Sequence, residues 1–161
     1  MNFLEVSKGK TLDRIDIRIL RCLQADGRIS NTALAKEVGL SATPCSERVK
    51  RLEKIGFIEG YNAKLNPALL NFGLLVFVEI SLLRTSPDVF AEFREAVTKL
   101  PEVLECHLVS GNFDYLIKAR VADMAAYRQL LGETILVLPG VSDSRTYVVM
   151  EEIKESQKLN I

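Results

Sequence analysis

Histidine and cysteine are scarce in this chain: one His, at position 107, and three Cys, at 22, 45 and 106. Three is an odd number, none is in ligand spacing, and each lies in an apolar pattern. That excludes a disulfide framework and a structural zinc site, and leaves reduced, buried thiols as the expectation. His107 stands between apolar strand neighbours, where a structural or interface role fits better than catalysis; a histidine at an interface would make assembly pH-sensitive. No apolar run approaches the roughly 18 residues that span a bilayer. Phe3–Val6 is too short for a signal-peptide core, and no cleavage signal follows. Catalytic machinery is missing as well. His107, Ser110 and Asp114 crowd into eight residues, where a strand sends alternate side chains to opposite faces, so no triad forms. Gly56-Phe-Ile-Glu-Gly60 lacks the lysine and the context of a nucleotide loop. No catalytic residue, metal ligand or cofactor is assigned.

Net charge is lacking too, with 21 Lys+Arg against 21 Asp+Glu. The distribution is uneven. Residues 1–66 carry 12 basic and 8 acidic side chains, and residues 67–161 carry 9 and 13. A net +4 half beside a net −4 half suggests a polyanion-facing module next to one with another task. The 161 residues suffice for one large or two small domains, and 48% hydrophobic with 26% charged is an ordinary globular composition.

The basic half reads as three helices. Residues 12–26 repeat Leu12, Ile15, Ile19, Cys22 and Leu23 at helical spacing, with Asp13 opening the helix and Asp26-Gly27 ending it. Ser30 is a good N-cap for a second helix, on which Ala33, Leu34 and Val38 form the apolar stripe, and Gly39 can turn the chain through φ > 0. A third helix starts near Ser41 to Thr43, with Pro44 tolerated in its first turn. At 100° per residue it places Cys45, Val49, Leu52 and Ile55 on one face. Thr43, Glu47, Lys50, Arg51 and Lys54 fall opposite, flanked by Ser46 and Arg48. A small core on one side and a basic, hydrogen-bonding ridge on the other suit a helix docked in the DNA major groove. Gly56 closes this helix, and Phe57–Tyr61 reads as a short strand, a wing or strut. The Asn- and Pro-containing stretch from Asn62 to Gly73 marks a boundary, giving a helix-turn-helix domain over 12–73 (the motif itself about 31–50) and a second domain over 74–153.

The second half reads as strand Leu74–Leu83, helix Pro87–Lys99, strand Val103–Ser110, strand Phe113–Val121, a helix capped by Asp123, and strand Val141–Ile153. The order βαββαβ is ferredoxin-like, so the fold class is α+β, with both helices on one face of a four-stranded antiparallel sheet. The other face would present Phe77, His107, Val109, Leu116, Tyr147 or Val148, according to register. A bare apolar sheet face calls for a second copy, so a two-fold homodimer is expected, holding two recognition helices about one DNA turn apart or a multiple of it.

The segments SNTALAKEVGLSATPCSERVKRLEKIGFIEGY, LLVFVEISL, ECHLVSGNFDYLIKARV and RTYVVMEE, in that order, resemble the leucine-responsive (Lrp/AsnC, feast/famine) family of bacterial and archaeal transcription regulators, from about Leu12 to Lys154. CHLVSGNFDYL and SRTYVVMEE resemble its global regulators rather than its specialised paralogues. The resemblance implies a non-enzymatic, cytoplasmic, nucleoid-associated regulator of amino-acid metabolism that binds double-stranded DNA. It implies dimers assembling to octamers or larger rings, and a small amino acid, leucine or another, bound near dimer–dimer contacts to shift that assembly.

On this reading Arg48, Lys50, Arg51 and Lys54 neutralise phosphates, giving salt-dependent affinity. Ser41, Thr43, Ser46 and Glu47 lie toward the helix start, where side chains reach base edges. For Glu47 two roles stand, an acceptor from cytosine N4 or an i+4 partner of Arg51. Asn31 and Thr32 open the preceding helix, whose N–H groups can hold a phosphate. The turn Ser110-Gly111-Asn112-Phe113-Asp114-Tyr115 is a plain hairpin by composition. The resemblance makes it the effector site, with Ser110, Gly111, Asp114 and Tyr115 at the ligand and Leu108, Met124, Tyr147, Val148 and Val149 as apolar walls. Two rivals stand beside this reading. One is an RNA-binding βαββαβ module, although the third strand lacks the Gly-aromatic RNA-binding pattern. The other is an enzyme on the same fold, for which no acid/base cluster is visible. The first ten residues read as a flexible lead-in, and the tail after Glu152 as the part that sets the final assembly.

Overall fold

The computed structural model describes residues 4–6 and 10–161, with side chains from Thr11 onward. Residues 1–3 and 7–9, and with them most of the N-terminal lead-in, lie outside the described residues. The chain forms two compact units, Met1–Lys64 with Glu155–Ile161, and Leu65–Lys154.

The first unit begins with a two-stranded antiparallel ribbon, β1 (Leu4–Val6) and β2 (Lys10–Leu12), which the sequence did not suggest. Three helices follow: α1 (Arg14–Ala25), α2 (Asn31–Val38) and α3 (Ala42–Lys54). Asp13 and Asp16 form a reciprocal capping box on α1, each side chain accepting the other's backbone N–H, at 2.8 and 3.1 Å. Ser30 caps α2 by accepting from the Ala33 N–H, and Gly39 ends it at φ 77°, where a β-carbon would be strained. Ile19, Leu34, Ala35, Val38, Cys45 and Leu52 are buried together. The inward position on α2 is Ala35; Ala33 is exposed.

Phe57–Tyr61 is not a strand. The Phe57 and Ile58 N–H groups both donate to Leu52 O, at 2.9 and 3.4 Å, and so complete the end of α3, while both side chains pack on the core. Residues 155–161 return to this unit. Arg21 Nε donates to Ile161 O at 2.6 Å, Gln24 and Leu159 exchange two hydrogen bonds, and Ile161 packs on the helical core.

The second unit contains β3 (Leu74–Leu82), α4 (Pro87–Val97), β4 (Val103–Leu108), β5 (Tyr115–Val121), α5 (Met124–Leu130) running into a π turn (Leu131–Ile135), and β6 (Val141–Val148). The sheet order is β4-β5-β3-β6, each neighbouring pair antiparallel. The last strand stops five residues short of the expected Ile153. Alternation places Val76, Val78 and Ile80 with Tyr115, Ile117 and Ala119 on the helix side, against Phe93, Val97, Tyr127 and Ile135. Register puts Phe77, Leu116, His107 and Tyr147 on the open side, as expected, but Val148 pairs with Val76 on the helix side. The open side is amphipathic rather than apolar. Lys118 pairs with Glu105 at 2.8 Å, Arg120 with Glu152 at 2.5 Å, and the Tyr147 hydroxyl donates to Glu79 at 3.0 Å.

Candidate DNA-binding and effector sites

Each pair of helices in the first unit is joined by a polar tie. Arg18 of α1 donates to Val38 O and Glu37 O, placing a cation on the carbonyl end of α2. Asn31 Nδ2 of α2 donates to Ala42 O at 2.9 Å, tethering the start of α3. The third tie is ionic. Arg48 Nη1 reaches Asp13 Oδ2 at 2.6 Å and Asp16 Oδ1 at 2.9 Å, and Arg51 Nη2 reaches Asp16 Oδ2 at 2.5 Å. Asp16 is 1% exposed. Burial opposes ionisation of Asp13, but the Asp16 N–H and Arg48 outweigh it and hold that carboxyl below the usual aspartate range. Arg48 is correspondingly held further toward its charged form, chiefly by its hydrogen bond to Asp13. An open cleft of about 460 Å3 lies here, lined by Thr11, Asp13, Asp16, Pro44, Glu47, Arg48 and Arg51.

This geometry divides the basic ridge. Arg48 and Arg51, read from sequence as phosphate ligands, are committed to carboxylates of α1. Among the described residues the ion pair of Arg51 is to Asp16 and not to Glu47. Lys50, Lys54, Thr43 and Glu47 are exposed, Ser46 is half-buried, and Thr32 is exposed at the start of α2. Ser41 is the N-cap residue of α3, yet its hydroxyl makes no cap bond. The sequence signal that could have revealed the ionic tie was the Asp-x-x-Asp box opening α1, opposite an Arg-x-x-Arg pair on α3.

In the second unit the expected effector residues fall into two groups. Leu108 pairs with Tyr115 on one row of the sheet, beside Ser110, Gly111 and Asp114 in the turn, and that row continues through Ile80 to Ser144. Val148 pairs with Val76, Val149 donates to Leu75 O, and Met124 follows the end of β5 at Val121, which pairs with Leu74. Tyr147 pairs with Phe77 in this second group. Leu108 is on one edge strand and Val148 on the other. They are separated by about 14 Å across three strand spacings and about 13 Å along the strand. One chain therefore does not bring both groups to a leucine-sized ligand.

Two members of the turn have internal duties. The Asp114 carboxylate accepts the Leu82 N–H at 2.7 Å. The Tyr115 ring is buried on the helix side, stacked on Phe93 with centroids 4.3 Å apart and edge-on to Phe90 at 6.0 Å. Leu108, Met124, Tyr147 and Val148 are all exposed, at 59, 49, 45 and 42%. A cavity of about 170 Å3, lined by Glu79, Ser81, Asn112, Phe113, Asp143, Ser144 and Arg145, lies beside the turn. Asn112 and Phe113 belong to the turn read from sequence; the other five come from β3 and β6, whose adjacency depends on strand order. The open face of β5 carries Leu116, Lys118 and Arg120, which offer no aromatic ring for base stacking. Among the described residues no three His, Cys, Asp or Glu gather as a metal site, and no helix is long and apolar enough to cross a membrane.

Known proteins resemble the chain along most of its length. A winged helix-turn-helix DNA-binding family matches residues 12–59, and the Lrp/AsnC ligand binding domain matches residues 75–159. The leucine-responsive regulatory protein of Escherichia coli K12 is 67% identical over 153 residues, covering 95% of this chain and 93% of its own; that of Klebsiella pneumoniae is 67% identical over the same span. A Neisseria meningitidis transcriptional regulator, solved in complex with L-methionine, superposes with a TM-score of 0.88 at 40% identity, covering 92% of this chain and 96% of its own. The feast or famine regulatory protein of Mycobacterium tuberculosis, also solved with L-methionine, gives 0.84 at 32% identity, covering 92% and 98%. Relatives of this similarity are named as regulators rather than enzymes, and with both matched families in the same order along the sequence, the chain belongs to the Lrp/AsnC family of ligand-modulated transcription regulators.

Proposed function

We propose that this chain grips duplex DNA with α3 and answers to a small amino acid, leucine or methionine, held where copies of the chain meet. The observation that carries this reading is the separation of two groups that each carry exposed apolar side chains, Leu108 beside the 110–115 turn, and Met124 with Tyr147 and Val148. Large exposed apolar side chains at both ends of one sheet need covering. A pocket drawing on both groups requires a second copy, so ligand binding and assembly are coupled. Dimers built through the second unit, assembling further to octamers or larger rings, would satisfy this and present paired α3 helices. In that role Lys50 and Lys54 neutralise phosphates. Ser41, Thr43, Ser46 and Glu47 face base edges, and Thr32 and the α2 N-terminus take a phosphate. Arg48, Arg51 and Asn31 hold α3 in place.

Light scattering with and without leucine, and again with methionine, tests the coupling. A ligand-dependent change in mass is expected, together with a change in the gel shift of the protein's own promoter fragment. A strictly monomeric protein at micromolar concentration, indifferent to both amino acids, would remove the reading.

A further inference from the structure

We propose that Asp16 is a specificity-determining positioning residue: it withholds two arginines of α3 from the DNA backbone and so limits sequence-independent attraction. This rests on the reading of α3 as the DNA-contacting helix. Four cations, Arg48, Lys50, Arg51 and Lys54, lie on or beside the outward face of α3. Non-specific affinity rises with the number of phosphates that such cations neutralise, and it carries no sequence information. Asp16 engages two of the four, sharing Arg48 with Asp13. It is buried, it sits in the first turn of α1, and one oxygen serves each arginine, at 2.9 and 2.5 Å. The two arginines are i and i+3 on one face of α3, so a single carboxylate holds both.

Asp13 locks the arrangement. Its Oδ1 accepts the Ile15 and Asp16 N–H groups, leaving Oδ2 for Arg48. All four carboxylate oxygens are thus engaged, two arginines are fixed, and the rotation of α3 about its axis is set relative to α1. Lys50 and Lys54 remain the outward cations. Discrimination then falls to the polar side chains at the start of α3, which is where base edges are read.

Salt titrations of binding test this on two duplexes, one selected by the wild-type protein from a random-sequence library, the other poly(dI-dC). Asp16→Asn is expected to bind poly(dI-dC) more tightly, with a salt slope steeper by about 0.9 for each phosphate gained. The ratio of selected to non-specific affinity should fall about tenfold. A clamp that only supports the fold would lower the melting temperature and weaken both duplexes by one factor, with the slopes unchanged. That result overturns the proposal. Arg51→Gln gives an independent arm should Asp16→Asn fold poorly. If Arg51 is withheld, its loss leaves the wild-type slope intact, whereas a slope reduced by about 0.9 places Arg51 on a phosphate and overturns the proposal. Lys50→Ala reports separately on the helix itself. A slope unchanged by Lys50→Ala while Asp16→Asn steepens it would move the DNA-facing surface without touching the clamp. Failure of the wild type to enrich any sequence would sink both.

Discussion

Asp114 supplies two successive rungs of the β3–β5 ladder: its N–H donates to Ile80 O at 2.9 Å, and its carboxylate accepts the Leu82 N–H at 2.7 Å. The backbone pairing of β3 with β5 ends at Ile80 and Tyr115, so beyond it the Leu82 N–H takes a side-chain acceptor in place of a backbone one. Asp114→Ala leaves a largely buried N–H without its acceptor and should cost about 1–3 kcal/mol in urea unfolding. Asp114→Asn keeps an acceptor and should lose less. Calorimetric titration of leucine against both variants separates this duty from any contact with a ligand ammonium, because only such a contact makes Asn as damaging as Ala.

Tyr115 gives the opposite sign. Its hydroxyl is buried and finds no protein partner among the described residues, while its ring is stacked on Phe93. Tyr115→Phe keeps the ring and removes the unpaired group. Unfolding stability should hold or rise by up to about 1 kcal/mol. If leucine affinity falls instead, the hydroxyl serves the effector.

Gly140 turns the chain into β6 at φ 77°, and a β-carbon there would stand 2.5 Å from Val89 Cγ1. The backbone strain and the clash add. Gly140→Ala should lower stability by more than about 1 kcal/mol, seen as a lower urea midpoint. Gly39→Ala, with a similar φ and nothing near its β-carbon, should cost less.

Acid stability follows from Asp13. Its carboxyl titrates below the ordinary 3.8 when folded. A group whose pKa is lowered by folding contributes stability above its unfolded value, and loses it as pH falls through the folded one. The first unit should therefore hold its stability from neutrality to about pH 4 and decline below that. Asp13→Asn removes this component. Urea midpoints measured at about pH 6 and about pH 3 should move less in the variant than in the parent.

What could be read without coordinates was local. The Ser30 and Asp123 caps, the Gly39 turn and the order βαββαβ all depend on neighbours within a few residues, and each is found where expected. What could not be read depends on distant partners. Phe57 and Ile58 carry strand-forming side chains, but no strand lies beside them, and Leu52 O takes their N–H groups instead. A helical wheel shows Arg48 and Arg51 as unpaired cations because it leaves out Asp13 and Asp16, more than thirty residues away. The expected effector residues read as one pocket along the sequence. The strand order β4-β5-β3-β6 and its register separate them.

The return of residues 155–161 to the helical unit sets an order of events during synthesis. Leu65–Lys154 separate that tail from the rest of its unit. At about 5–20 residues per second, translation of the intervening stretch takes roughly 5–20 s. Helix α1 thus waits, with Arg21 and Gln24 unmet, while the sheet behind it is made. The helical module is begun before the sheet and completed after it.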